Sequence, residues 1–239
     1  MKKLINNRNM NNVSRYKVIR LIMLLMSLMP LQMVFAQLPV DYKGKPFADS
    51  LYKKGPQVIP GKVELAYYDL GGEGVAYHDT DKINNGSGKL NYEQNCPASG
   101  KKTPSKYICH FRESEGVDIS YTKDIVDFSH PNLYEPPADQ LYLGWQADGE
   151  WTNYTVDVKY AGKYKITALY GRNNNNSSLW INNVKAADLT LPVNTGDWHS
   201  WNKAVVGYIT FTSTGLNLLT LHYNTGSNLA YFEFELAEK

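Results

Sequence analysis

Beyond residue 36 the sequence contains no methionine, and the whole 239-residue chain carries only two cysteines, Cys96 and Cys109. Two cysteines are too few for a disulfide-rich scaffold, so an apolar core must hold the fold. No apolar run reaches the roughly 20 residues that a bilayer-spanning helix needs. The longest, Leu21 to Phe35, is about 15 residues and is interrupted by Pro30. Acid is absent from the first 36 residues, which hold six bases: Lys2, Lys3, Arg8, Arg15, Lys17 and Arg20. Without that segment 19 basic residues face 23 acidic ones, and the net charge of +2 becomes −4. A basic surface for nucleic acid is therefore excluded. Catalytic signatures are missing too: no GxSxG elbow, no glycine-rich phosphate loop, no HExxH, and no GxGxxG opening a helix.

The first 36 residues read as a signal peptide, with a basic Asn-rich start, the apolar run, and Val34-Phe35-Ala36 ahead of Gln37. Cleavage after Ala36 is expected, leaving no membrane span and a secreted or periplasmic protein. The competing reading, a membrane anchor, is disfavoured by the length of the run. Export gives Cys96 and Cys109 an oxidising context, and a disulfide between them is expected. Such a loop contributes about 3 kcal/mol by closure entropy.

Residues 37–56 are polar, turn-rich and without periodicity, and are read as an N-terminal tether. Residues 57–239 alternate apolar and polar side chains between Gly, Asn and Pro clusters, the pattern of an all-β domain. Thr152, Tyr154, Val156 and Val158 share one face. After Ala161-Gly162 the same period continues from Lys163 to Tyr170, which predicts a hairpin. Further strands are predicted at Ser178 to Ile181, turning at Asn182-Asn183, and at Ala204 to Phe211, Asn217 to Tyr223 and Ala230 to Leu236. With 17 tyrosines after the leader, this length suits an antiparallel β-sandwich. The stretch from about 84 to 140, rich in Asn, Lys, Ser and Pro, reads as long surface loops with one or two strands.

Acid pairs such as Glu113/Glu115 and Asp148/Glu150 are of the residue type that glycoside hydrolysis uses in pairs, but they read first as solvated turn acids. Asp79, Asp81, Asn84 and Asn85 form an oxygen-rich loop. Ile83 and Asn84 stand where an EF-hand requires an oxygen ligand and a glycine, so a turn is expected there.

A run of blocks carries a resemblance. Ile59-Pro60-Gly61-Lys62-Val63-Glu64, Tyr68-Asp69 and Gly71 to Asp79 are followed by Glu115-Gly116-Val117-Asp118-Ile119 and Gly144-Trp145. Then come Gly149-Glu150-Trp151, Tyr154-Thr155-Val156, and Thr195-Gly196-Asp197-Trp198 with Trp201, ending at Asn228-Leu229. In order and approximate spacing the chain resembles the family 6 carbohydrate-binding modules. The resemblance implies a jelly-roll type β-sandwich that binds sugar, lectin-like, without cleaving it. It places the ligand cleft at Trp145 and Trp198 as stacking rings, with Asn228 bonding sugar hydroxyls and Glu115 and Asp118 as further candidates.

The chemistry agrees, because the C–H face of a pyranose is partially positive and the face of an indole is negative. A tryptophan in a β-protein is more often core than platform, and Trp151, Trp180 and Trp201 are read that way. Trp145 and Trp198 instead sit among Gly, Asp, Asn and Gln. Asn228 has a plainer alternative as a turn residue after Gly226.

Two departures concern the calcium ion of the family. Its Glu-x-Glu opening is Glu64-Leu65-Ala66 here, and its Asp two residues after the ligand Asn is Ala230. Calcium needs six to eight oxygens, so no structural calcium or other cofactor is expected. The Cys96 to Cys109 insertion is a further departure, placed to narrow the cleft. The reading is an exported, non-catalytic protein that grips a polysaccharide or oligosaccharide between Trp145 and Trp198. The alternatives are a small glycan-active hydrolase and a protein-interaction module of an exported complex.

Overall fold

The computed structural model describes residues 35–52, 55–99, 104–172, 177–224 and 226–238. The expected signal peptide lies almost wholly outside them, and the compact unit that follows spans Phe35–Lys239. Among the described residues thirteen strands form: β1 (Phe35–Ala36), β2 (Gln57–Ile59), β3 (Gly61–Glu64), β4 (Tyr77–His78), β5 (Ile119–Tyr121), β6 (Leu141–Leu143), β7 (Trp151–Val158), β8 (Gly162–Gly171), β9 (Ser178–Ile181), β10 (Val184–Asp188), β11 (Trp201–Phe211), β12 (Thr214–His222) and β13 (Asn228–Glu238). One sheet runs β10-β9-β12-β7-β2, with β1 on β12 and β4 on β7. The other runs β11-β8-β13-β6-β5, with β3 on β13. The pairings are antiparallel except β1 with β12 and β2 with β7. This is the expected all-β sandwich.

The period of two decides what each strand buries. Tyr164, Ile166, Ala168 and Tyr170 of β8 face Val156, Leu219 and Leu221 of the opposite sheet in one core. Outward-pointing Lys163 and Lys165 pair with Glu238 and Glu235 on β13. Buried tyrosines keep their hydroxyls bonded, as Tyr154 does to Leu65 O (2.9 Å) and Tyr164 to Tyr160 O (2.6 Å). Burying a ring of this size without orphaning its hydroxyl retains the full apolar gain, about 1.5–3 kcal/mol each.

On the outer face of the second sheet a smaller cluster gathers Tyr142, Leu169, Trp201, Ala230 and Tyr231. These are the residues that alternate with the core-facing ones. Residues 122–140 cover it: the N–H groups of Leu133 and Tyr134 donate to Trp201 O.

Three expectations are corrected. β7 and β8 are not a hairpin: β7 pairs with β12 and β2, whereas β8 pairs with β11 and β13 in the other sheet. Alternation reports which face is buried, and both strands face the same core from opposite sides. The turn at Ala161-Gly162 therefore carries the chain between sheets.

The tether is in part docked. Lys45 and Leu70 exchange backbone hydrogen bonds, Tyr42 Oη donates to Asp69 Oδ2 (2.6 Å), and buried Phe47 stacks on Tyr67 at 5.1 Å. Its aromatic residues find partners too distant in sequence for local periodicity to show.

The stretch from 84 to 140 is also more buried than a surface loop. Asn84, Ser87, Asn91, Cys109, Phe111, Val117 and Tyr121 are all interior. Asn84 Oδ1 accepts from the N–H groups of Gly86, Ser87 and Ile119, which lets irregular backbone enter the interior with its donors satisfied.

Candidate functional site

Sheet register brings three distant segments to one edge. Leu229 of β13 pairs with both Leu143 of β6 and Tyr170 of β8, and Gly171 pairs with both Asn228 and Trp201. The loop after β6, the start of β13 and the loop before β11 must therefore meet. These carry Trp145, Asn228 and Trp198. The Asn228 amide ties two of them together, donating from Nδ2 to Trp198 O at 2.8 Å.

Two glycines allow this approach. A Cβ on Gly144 would lie 3.0 Å from Asn228 Oδ1, and one on Gly171 would collide with Trp198 O. Trp145 is 43% exposed and holds φ +48, a left-handed conformation unusual for a bulky residue. Gly144 N donates to Asp118 O (3.0 Å), which fixes the base of that turn.

The result is a pocket of about 320 Å³ lined by Leu90, Tyr142, Trp145, Trp198, His199 and Asn228. That volume is at the small end of the roughly 300–1,000 Å³ usual for ligand sites. Arg172 stands over the Trp198 ring, its Cζ 4.5 Å from the centroid, a cation–π contact that steadies the indole. His199 is steadied from beneath: its Nδ1 lies 3.1 Å from Oδ1 of Asp127, a fully buried carboxylate. The same oxygen accepts from Trp201 Nε1 (2.7 Å), and Oδ2 accepts from Lys123 N (2.6 Å). Burial pushes the neighbouring Lys123 down to about 8, opposed by the charge of Asp127.

Of the five residues expected in the cleft, the structure brings together Trp145, Trp198 and Asn228. Glu115 and Asp118 do not line the pocket. The Glu115 carboxylate takes a bidentate pair from Arg112, at 2.8 Å to both Nε and Nη2, and the hydroxyl of Tyr68 at 3.1 Å. Arg112 also donates to the carbonyls of Tyr68 and Asp69. This ion pair is structural, holding the loop against the first sheet.

The Asp118 carboxylate instead accepts from Asn85 N (2.5 Å) and Nδ2 (3.2 Å), turned toward other acids. Burial first, and then the charges of Asp81 and Glu150, push it up to about 7. Asp79 is pushed up to about 8, again chiefly by burial, with Glu150, Asp118 and Asp81 adding repulsion. Glu150, expected as a solvated turn acid, is only 3% exposed and accepts from Thr80 N, Thr80 Oγ1 and Ala147 N. Trp201 is core, while Trp151 and Trp180 are only half-buried.

Sequence reasoning missed Leu90, Tyr142 and His199. The neighbour of Trp198 was a visible candidate; a leucine in a polar insertion and a strand tyrosine carried no signal. Cys96 and Cys109 form the disulfide, with Cα atoms 5.8 Å apart. The calcium donors do not fit. Ala66 and Ala230 are 1% and 0% exposed among apolar side chains, and Glu64 is bonded to Gln140 Nε2 and Lys62. At the two positions that the resemblance gives to calcium ligands, the side chains are methyl groups and offer no oxygen.

The structure is a two-sheet β-sandwich with two indoles and an amide around a pocket at one sheet edge. The family described as carbohydrate binding module (family 6) matches residues 109–236, just over half of the chain, and the chain belongs to that family. It is 34% identical over 88 residues to an isomaltosyltransferase of Sporosarcina globispora; the match covers 36% of this chain and 8% of that protein.

Solved structures to which the chain is similar include a family 6 module of Clostridium stercorarium in complex with cellobiose (11% identity, 77% of this chain and 99% of that one, TM-score 0.44). Another is the C-terminal module of a marine laminarinase of Zobellia galactanivorans (19% identity, 44% and 84%, TM-score 0.36). A third is the module of a Cellvibrio mixtus lichenase in complex with cellotriose (21% identity, 41% and 79%, TM-score 0.35). Among the described residues no helix is long and apolar enough to cross a membrane.

Proposed function

We propose that this chain is an exported, non-catalytic carbohydrate-binding protein whose pocket holds a sugar unit of a polysaccharide or oligosaccharide against Trp145 and Trp198, with Asn228 fixing its orientation. The observation that carries the reading is the convergence of both indoles and the Asn228 amide on one pocket of about 320 Å³. Stacking rings and an amide complement a ground-state sugar. A glycosidase needs two carboxyls across the bond to be cut, and among the described residues no carboxylate lines the pocket. Glu115 and Asp118 are spent on Arg112 and Asn85. The disulfide and the basic, apolar leader support export. No structural calcium or other cofactor is part of this reading.

A glycan array on the protein without its leader, with mass analysis of the products, is the test. Retention of specific glycans without release of reducing ends is expected. Trp198→Ala should weaken that retention roughly 5- to 150-fold, if a sugar stacks about as strongly as a nucleobase, 1–3 kcal/mol. Steady hydrolysis, or full retention by a well-folded Trp198→Ala protein, would refute the reading.

A further inference from the structure

Among the described residues Leu90 is the one aliphatic side chain lining the pocket, and it comes from the insertion between β4 and β5. Its position is fixed. It ends a π-helical turn (Gly86–Leu90) that presses so closely on its surroundings that a Cβ on Gly86 would strike Ile119 O and one on Gly88 would come within 2.7 Å of Glu113 O. Leu90 N donates to Asn85 O, and Leu90 O accepts from Gln94 N. The next residue, Asn91, is wholly buried; its Nδ2 donates to Cys109 O (2.7 Å) and its Oδ1 accepts from Ser120 Oγ (3.2 Å). Cys96 N donates to Asn91 O, and the Cys96–Cys109 disulfide closes the far side.

Among the described lining residues several polar atoms are already engaged. Tyr142 is 1% exposed. Trp198 O is taken by Asn228 Nδ2, and His199 Nδ1 by Asp127. The lining side chains also carry Asn228 Oδ1, His199 Nε2 and two indole N–H groups. The Leu90 wall itself offers only methyls.

Resting on the sugar-binding reading of this pocket, we infer that Leu90 determines specificity, selecting a sugar unit that presents a hydroxyl-free edge to that wall, the methyl end of a 6-deoxyhexose. A hydroxymethyl group turned to Leu90 gives up water and gains no hydrogen bond in return; a methyl group there only loses unfavourable contact with water. Because an apolar wall rejects one added hydroxyl by at most about a hundredfold, the expected preference is about 10- to 100-fold.

The test uses matched methyl glycosides of the same ring configuration: 6-deoxyglucoside against glucoside, fucoside against galactoside, and rhamnoside against mannoside. Affinities are read by calorimetry and ligand-observed NMR, alongside the glycan array. In at least one pair the deoxy sugar should bind the native protein about 10- to 100-fold more tightly. Leu90→Ser should shrink or reverse that ratio, whereas Leu90→Met, which keeps an apolar wall, should preserve it. Equal binding within every pair, or an unchanged ratio in a folded Leu90→Ser protein, overturns the inference. Glycans retained on the array with no glycoside of any pair bound overturns it too, while leaving the sugar-binding reading intact. Silence in both assays removes that reading itself.

Discussion

The sharpest consequence of the geometry is carried by a single hydrogen atom on Gly171. Replacing it with a methyl group puts a Cβ in collision with Trp198 O, with Trp198 C at 3.2 Å and Ser200 O at 3.6 Å behind it. These are backbone atoms and cannot swing aside as a side chain can. Ordinary carbon contacts need about 3.5–4.0 Å, so the Trp198 carbonyl must retreat by about 1 Å. That carbonyl also accepts the Asn228 amide at 2.8 Å. One methyl therefore displaces Trp198, the ring proposed to stack on the sugar, and releases Asn228, the residue proposed to orient it.

Overpacking of this kind costs about 1–3 kcal/mol. For a unit of this size that is a fall in Tm of about 2–12 °C. The binding loss should exceed what the stability loss explains, because the folded variant still carries a displaced platform. Gly196→Ala, in the same loop at φ +82 and with nothing near its Cβ, strains the backbone without a collision. It should lower Tm and leave binding nearly intact. Calorimetric titration with the best array glycan and melting of both variants decide the matter. If Gly171→Ala binds as tightly as the parent, the approach of Gly171 to Trp198 does not build the site.

Three further outcomes follow from other parts of the molecule. Asp79 and Asp118, raised to about 8 and about 7, bind protons in the folded state at pH values where the unfolded chain has lost them, so their contribution to stability declines as pH rises from about 4 to 8. Asp79→Asn keeps the acceptor for Asp81 N and should flatten the Tm profile and raise Tm at pH 8; an identical profile in the variant would contradict the burial described. Chelation with EDTA should leave Tm unchanged, since Ala66 and Ala230 supply no oxygen; a clear drop would point to an ion held elsewhere, with the acids around Asp118 the first place to look. Opening the disulfide by Cys96→Ser with Cys109→Ser should cost about 3 kcal/mol in a melt, and an unchanged Tm would mean that the hydrogen bonds of Asn91 alone hold the insertion.

Local pattern was legible where a strand meets water on one face. The predicted Ser178 to Ile181 strand and its Asn182-Asn183 turn coincide with β9 and the turn after it, both asparagines having positive φ. Partnership was not legible, because the alternation of β7 and β8 is the same whether the two strands pair side by side or face each other across a core. The Asn-rich insertion misled for a related reason. Asn84 and Asn91 are polar in composition but interior in fact, replacing the hydrogen bonds that a regular element would supply. At the site, Trp145, Trp198 and Asn228 stood out by resemblance and, for the indoles, by exposed neighbours. Glu115 stood out by resemblance too and is a structural ion-pair partner, since the carbonyls that recruit Arg112 come from residues more than forty positions away.

The buried Asp127 has a consequence for time as well as for shape. One carboxylate grips core Trp201 and pocket-lining His199 together, while Asn228 holds the backbone of Trp198 and Arg172 lies over its ring. With His199 and the backbone at Trp198 already held in the free protein, a ligand should not have to wait for the site to assemble. Encounter rates should be similar from one sugar to the next. Discrimination between them should then appear almost entirely in how long each one stays.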